Sequence, residues 1–304
     1  MQYIYAYETT ASAPASQFQN FLEKSILSVK DQYLYLLLCI REIANFVETD
    51  AKIKAGKHLK NDKDKNFSTK LLSNVLVQYL NNDKEFNIEL KNASIASLLD
   101  DDNIRQLYKK LTESEAYVDY LTNGTEFNVE ADKSIITFLL NNLILEDENF
   151  TTNMEELFTN WMDDAEFVVE AVHEVIQKSK NELKLHLEKG NLKDKFKELT
   201  QFGIDLFNET INNKKAHYKL IEPKLKNWET DRLAIIDVIL IRMAVSEFLY
   251  FPSIPVKVTI NEYLDIAKEY STPKSKDFIN GVLDSLMRDM KTNDQLNKTG
   301  RGLL

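Results

Sequence analysis

Between Leu233 and Leu249 the chain places apolar side chains at Leu233, Ile235, Ile236, Val238, Ile239, Leu240, Ile241, Met243, Ala244, Val245, Phe248 and Leu249. At 3.6 residues per turn these positions reach nearly every side of a helix, and such a helix has to be buried on nearly every side. The segment from Trp228 to Phe251 is therefore expected to be the central helix of a C-terminal core. Pro252 and Pro255 end it, because proline cannot continue a helix. The chain has no run of 18 apolar residues, so no membrane-spanning helix is expected.

The rest of the chain has to supply the wrapping. Its 304 residues include only 7 Gly and 5 Pro, where average usage would give roughly 20 and 15. Folds with many tight turns need both residue types. A β-sandwich, a propeller or a glycine-rich nucleotide-binding α/β fold is therefore disfavoured, and the expected fold class is all-α. Met1 to Tyr7 reads as the end of a helix. Apolar spacing predicts further helices over about 16–47, 67–81, 103–122, 131–146 and 163–189, then one ending near Asn212-Asn213. Residues 50–66 lose nearly all apolar content and read as a solvated connector or a fraying helix end.

After the central helix, Thr259-Ile-Asn-Glu262 has the form of a capping box. Thr272 with Pro273 then reads as the N-cap and first residue of a last helix reaching about Met290. The apolar period runs through Gly281, which puts that glycine inside the helix and suggests close backbone packing there. The chain thus divides into an enlarged N-terminal helical subdomain over 1–200, a C-terminal subdomain over 201–291 and a frayed tail over 292–304.

Net charge is −10, from 38 Lys+Arg against 48 Asp+Glu. That argues against a surface wholly given to nucleic acid or anionic membrane. Residues 231–304 hold 10 basic and 10 acidic side chains, so the whole deficit lies in residues 1–230, which hold 28 and 38. Cys39 is the sole cysteine, set among Leu36, Leu37, Leu38 and Ile40, and reads as a core thiol in a cytoplasmic protein. No basic leader opens the chain.

His58, His173, His186 and His217 are scattered, without a zinc-binding spacing. No phosphate-cradling glycine motif and no GxSxG occurs. Asp100-Asp101-Asp102 and Asp163-Asp164 stand at expected helix starts, where the dipole favours anions. No catalytic site, metal or cofactor is expected. The one segment with a binding signature is Ser271 to Gly281: Lys274 and Lys276 lie in a first helical turn, where the dipole disfavours cations. Open amides, hydroxyls and two lysines at one helix start suit a phosphate. Two solvated surface lysines fit the same pattern.

Three stretches make the reading specific: DRLAIIDVILIRMAVSEFL, IPVKVTINEYLDIAKEYS and SKDFINGVLD, the last over Ser275 to Asp284. In order and spacing, residues 229–290 resemble the C-terminal half of the NusB transcription antitermination family. Met1 to Tyr7 resembles the end of that family's first helix. The resemblance implies an all-helical protein of two small bundles packed across each other, here with extra helices in the N-terminal half. It implies a non-enzymatic module that binds boxA RNA with the ribosomal protein NusE and joins the RNA polymerase antitermination complex. By motif match, Lys274, Ser275, Lys276, Asp277, Phe278 and Asn280 lie in the element approaching RNA, and Gln2 and Tyr5 near the RNA and NusE surface. Asn261 and Glu262 are read as structural.

Two departures from the family stand out. Its first helix opens with an arginine-rich stretch that grips phosphates, and this sequence starts after that point. Each lost phosphate contact removes about one unit of salt slope, so weaker RNA binding is expected. A truncated chain and a mis-assigned start both fit. Residues 8–200 also exceed the usual length, which suggests an added protein-facing surface or a shield against non-specific RNA. Competing readings are a NusB-like module that binds only proteins, and an appendage of a ribosomal RNA methyltransferase.

Overall fold

The structure, a computed structural model, describes residues 1–56, 67–122, 128–178, 191–225 and 234–299. Trp228, Asp231, Arg232 and Leu233 at the expected start of the central helix lie outside the described residues. So do His58, His186, residues 57–66, residues 179–190 and residues 300–304. Among the described residues the secondary structure is helical throughout, with no strand. The helices are α1 Gln2–Thr9, α2 Ala15–Ala55, α3 Val75–Asn82, α4 Lys84–Asn92, α5 Asp101–Glu113, α6 Glu115–Thr122 and α7 Val129–Phe138. They continue with α8 Glu148–Leu157, α9 Trp161–Lys178, α10 Asn191–Asn212, α11 Lys214–Ile221, α12 Ile235–Tyr250, α13 Val256–Tyr270 and α14 Ser275–Thr292. The chain forms two compact units: Ser25–Phe196, and Met1–Lys24 with Lys197–Leu304.

The unit Ser25–Phe196 is organised by α2. Eight consecutive residues, Tyr33 to Ile40, are all buried, so the helix is enclosed on every side there. Cys39 is among them, and burial pushes its thiol far above the ordinary range, which makes it an inert core group. Leu71, Val77, Phe86, Leu107, Leu111, Ile136, Leu140, Phe150, Val168 and Val172 complete the cluster. Short helices surround it, each started by a side-chain cap: Asn74 for α3, Asp83 for α4, Asp100 for α5, Asn128 for α7 and Asp147 for α8. Asp100 accepts from the amides of Asp102 and Asn103 at 3.0 and 3.2 Å, the structural use expected for an acidic run at a helix start. The expected helix over 103–122 is broken at Ser114, whose backbone is extended and whose hydroxyl accepts from the Tyr117 amide at 3.2 Å. Past α7 the helix widens into a π turn at Leu139–Ile144.

In the other unit α12 is the central helix, as its pattern requires. Every residue from Ile239 to Phe248 is buried. Its core joins Ile4, Phe18, Leu206, Phe207, Ile221, Tyr263, Leu264, Phe278, Ile279, Val282, Leu283, Leu286 and Met290. α12 stops at Tyr250, two residues before Pro252. Beyond α14 the chain turns back: the Thr299 amide donates to the Pro252 carbonyl at 2.8 Å, and the Lys298 ammonium donates to the carbonyls of Glu247 and Phe251 at 2.7 and 2.9 Å. These contacts add to the backbone bonds that already close this end, from the Phe251 amide to the Glu247 carbonyl and from the Ile254 amide to the Phe251 carbonyl, both at 3.2 Å.

Candidate nucleic-acid interface

Three ionisable side chains interrupt the apolar α12: Asp237, Arg242 and Glu247, all buried. They stand five residues apart, so at 100° per residue they point to three different sides of the helix. Each holds a different neighbour.

Asp237 sits in the first turn of α12, where the helix dipole favours a carboxylate. It accepts from the Ser275 hydroxyl at 2.7 Å and from the Ser271 hydroxyl. Ser271 and Ser275 are 2.9 Å apart at their hydroxyls, and the Thr272 amide donates to Ser275 at 3.2 Å. One carboxylate thus closes the turn from α13 to α14. This moves the start of α14: Thr272 and Pro273 belong to the turn, Lys274 is the N-cap and the helix begins at Ser275. The expected Thr272 cap is corrected, because the hydroxyls there are engaged in the Asp237 network.

Lys274, Lys276, Asp277 and Asn280 are exposed on α14 within two turns, while Ser275 and Phe278 are buried. Of the six residues read from the last motif, four face solvent and two build the platform beneath them. Gly281 is inside the helix as its period predicts, but the expected close packing is absent. It is exposed, and a Cβ placed there meets nothing within 4 Å.

Arg242 is 0% exposed. Its guanidinium pairs with Glu8 of α1 and donates to the Thr210 carbonyl of α10 at 2.7 Å, and Lys214 approaches the same Glu8 at 3.0 Å. α1 is therefore pinned to α12 by a buried charge pair as well as by Ile4. Gln2 and Tyr5, three residues apart on α1 and so on one face, are both exposed, Tyr5 to 40%. Beside Arg242 lies His217, buried, with neither ring nitrogen hydrogen-bonded. Burial, and then the Arg242 charge, lower its pKa to about 4, so the imidazole is neutral at pH 7.

Glu247 accepts from the Thr259 hydroxyl at 2.9 Å and the Tyr263 hydroxyl at 2.6 Å, both on α13. Burial raises its pKa and raises that of Tyr263 well above the phenol range. Thr259 is consequently no helix cap. α13 begins at Val256, directly after Pro255, and the Thr259 hydroxyl is spent on the long-range carboxylate. Asn261 and Glu262 are exposed on α13.

Reading along the sequence found the exposed lysines but missed Asp237, Glu8, Arg242 and Glu247. The available signal was three charges at regular intervals in a helix that must be buried all round, since each needs a partner. Among the described residues no group of three or more His, Cys, Asp or Glu could hold a metal ion, and no helix is long and apolar enough to cross a membrane.

The NusB family matches residues 162–288. The transcription antitermination protein NusB of Salinibacter ruber is 46% identical over 103 residues, covering 34% of this chain and 64% of that protein. Its namesake from Chloroherpeton thalassium is 44% identical over 103 residues, 34% of this chain and 49% of that protein. That of Koribacter versatilis is 42% identical over 108 residues, 34% of this chain and 74% of that protein. The chain thus spans less than two thirds of the Salinibacter protein and about half of the Chloroherpeton protein. No solved structure matches the chain.

Proposed function

The chain belongs to the NusB family, and we propose that it is an RNA-binding antitermination and elongation factor. In this reading it binds boxA-type RNA together with the ribosomal protein NusE, within the RNA polymerase antitermination complex, and supports ribosomal RNA transcription in the cytoplasm. It works as a binding module without catalytic turnover.

The observation that carries the reading is the locked turn at the start of α14. Asp237 fixes Ser271 and Ser275, and that rigid base holds Lys274 and Lys276 outward beside helix amides. Lysines on a rigid base lose less freedom on meeting a phosphate than lysines on a mobile loop. Gln2 and Tyr5 on α1 add a polar and an aromatic side chain suited to a base edge or a base face.

The test is fluorescence anisotropy with a boxA oligonucleotide and a scrambled one, with NusE present. Lys274→Glu with Lys276→Glu is expected to lower boxA affinity at least ~10-fold and to reduce the salt slope by about two units. Equal affinity for the scrambled oligonucleotide would sink the reading. The net charge of −10 favours a second one, a module that binds only proteins. Unchanged RNA affinity in the double variant, with NusE binding retained, would select it.

A further inference from the structure

Between Lys133 and Lys178 the chain carries ten Asp and Glu and no Lys or Arg. Most of that stretch forms α8 and α9. α9 buries Trp161, Val168, Val172 and Ile176 in the core of its unit. On its outer side Asp163, Glu166, Glu170 and Glu174 are exposed. At 100° per residue these four carboxylates fall within the arc bounded by Met162 and Phe167. Met162 is 75% exposed and Phe167 52%, and no other large hydrophobic among the described residues is as exposed as Met162. Glu148, Glu155 and Glu156 on α8 are exposed as well.

Helix stability does not account for this surface. Asp163 stands in the first turn, where the dipole welcomes an anion, but Glu170 and Glu174 stand in the half where it does not. Glu166 with Glu170, and Glu170 with Glu174, are like-charge pairs four residues apart, which oppose the helix. Glu174 has Lys178 at 2.6 Å, whereas Glu166 and Glu170 have no cationic partner among the described residues. Two large apolar side chains remain in water beside them, at the expense of their transfer free energy.

We propose that the outer face of α9, continued by α8, is a docking surface for a protein segment rich in Lys and Arg that seats its own apolar side chains on Met162 and Phe167. Charge complementarity decides the occupant. A phosphate backbone is repelled by this array, and a second copy of a chain of charge −10 brings more of the same sign. A simple polyamine would use the carboxylates but leave Met162 and Phe167 wet. A cationic amphipathic polypeptide uses both. The inference stands apart from the RNA reading, which rests on the other unit.

The experiment titrates the full chain into a fluorescein-labelled Lys/Leu peptide of about 18 residues with helical spacing, followed by anisotropy. Three double variants are compared: Glu166→Lys with Glu170→Lys, Met162→Ser with Phe167→Ser, and, as a control, Glu113→Lys on α5 with Asp119→Lys on α6. The first two are expected to weaken binding at least ~10-fold and the control less than ~2-fold, with the charge-reversed pair losing most of its salt dependence. All six positions are exposed, so each variant should keep the parent Tm, which is checked first. The proposal is overturned if the control loses as much as the α9 reversal, if the serine pair binds like the parent, or if a poly-uridine oligonucleotide competes for the face. It is equally overturned if sedimentation shows that reversing Glu166 and Glu170 changes self-association.

Discussion

Each unit is built around one helix enclosed on all sides, and the two helices are enclosed differently. From Tyr33 to Ile40, α2 meets its surroundings with apolar side chains, two tyrosines and a thiol. α12 meets them with Asp237, Arg242 and Glu247 set into an otherwise apolar helix. Around α2 the hydrophobic effect supplies most of the affinity between elements, and the polar contacts it makes use neutral side chains of its own: the Tyr35 hydroxyl accepts from Asn153 at 3.0 Å, and the Gln32 amide donates to Asp164 at 2.9 Å. Around α12 each neighbour is keyed: the α13–α14 turn to Asp237, α1 to Arg242, and α13 to Glu247. Buried charges contribute little net stability but penalise every arrangement that leaves them unpaired. The keyed unit is the one that carries the proposed RNA-facing residues, whose usefulness depends on where they point.

Removing a key should hurt the second unit far more than its burial area suggests. Arg242→Met leaves the partly buried Glu8 with only Lys214 as a cation and takes the guanidinium from the Thr210 carbonyl, and is expected to cost about 3 kcal/mol in urea unfolding. Adding Glu8→Gln should restore part of that loss. A Leu37→Ala variant in the other unit costs about 2–5 kcal/mol by leaving a cavity, and no single partner change should rescue it. If the Glu8 substitution rescues nothing, the contrast between keyed and shape-filled cores fails.

Acid should discriminate between the units next. His217 is held neutral in the fold with a pKa of about 4, against 6.5 when unfolded. The unfolded chain therefore binds the extra proton first, and stability present above pH 6.5 is lost as pH falls toward 4, by up to ~3 kcal/mol. Glu247, raised by burial, works in the opposite sense: its contribution is full at low pH and fades as pH rises through its folded pKa. Comparing Tm against pH for the parent and His217→Leu isolates the histidine. An unchanged profile would remove it from the account.

Much of this architecture was legible in the sequence, and the misses share a cause. The all-round burial of α12, its stop at Pro252 and the helical setting of Gly281 follow from local pattern, because periodicity and proline act within a few residues. The Thr259 and Thr272 caps were misread because their patterns are local while what displaces them is distant: Glu247 takes the Thr259 hydroxyl, and the Thr272 hydroxyl lies 2.8 Å from that of Ser275, which Asp237 holds. Glu8 and Arg242 lie 234 positions apart, beyond any pattern rule. The break at Ser114 was hidden because the apolar period continues on both sides of it.

Smaller effects refine the keyed unit itself. Ser275→Ala should cost about 1–3 kcal/mol, since Asp237 keeps one serine and loses the other. It should also weaken boxA binding although the side chain removed is buried, and an unaffected affinity would mean that the turn does not position the lysines. Gly281→Ala is expected to stabilise the protein by about 1 kcal/mol, because the added methyl meets open space. If the more stable variant binds RNA less well, the bare backbone at that position is itself part of the contact.

The return of the chain over α12 bears on how the gene can be edited. Family likeness ends at residue 288, so a designer trimming to the recognised module would cut inside α14. That cut would discard Lys298 and Thr299, which cover the carbonyl end of the central helix. A fusion or affinity tag should therefore join after Thr299, and the inheritable minimum of this unit is longer than its recognisable one.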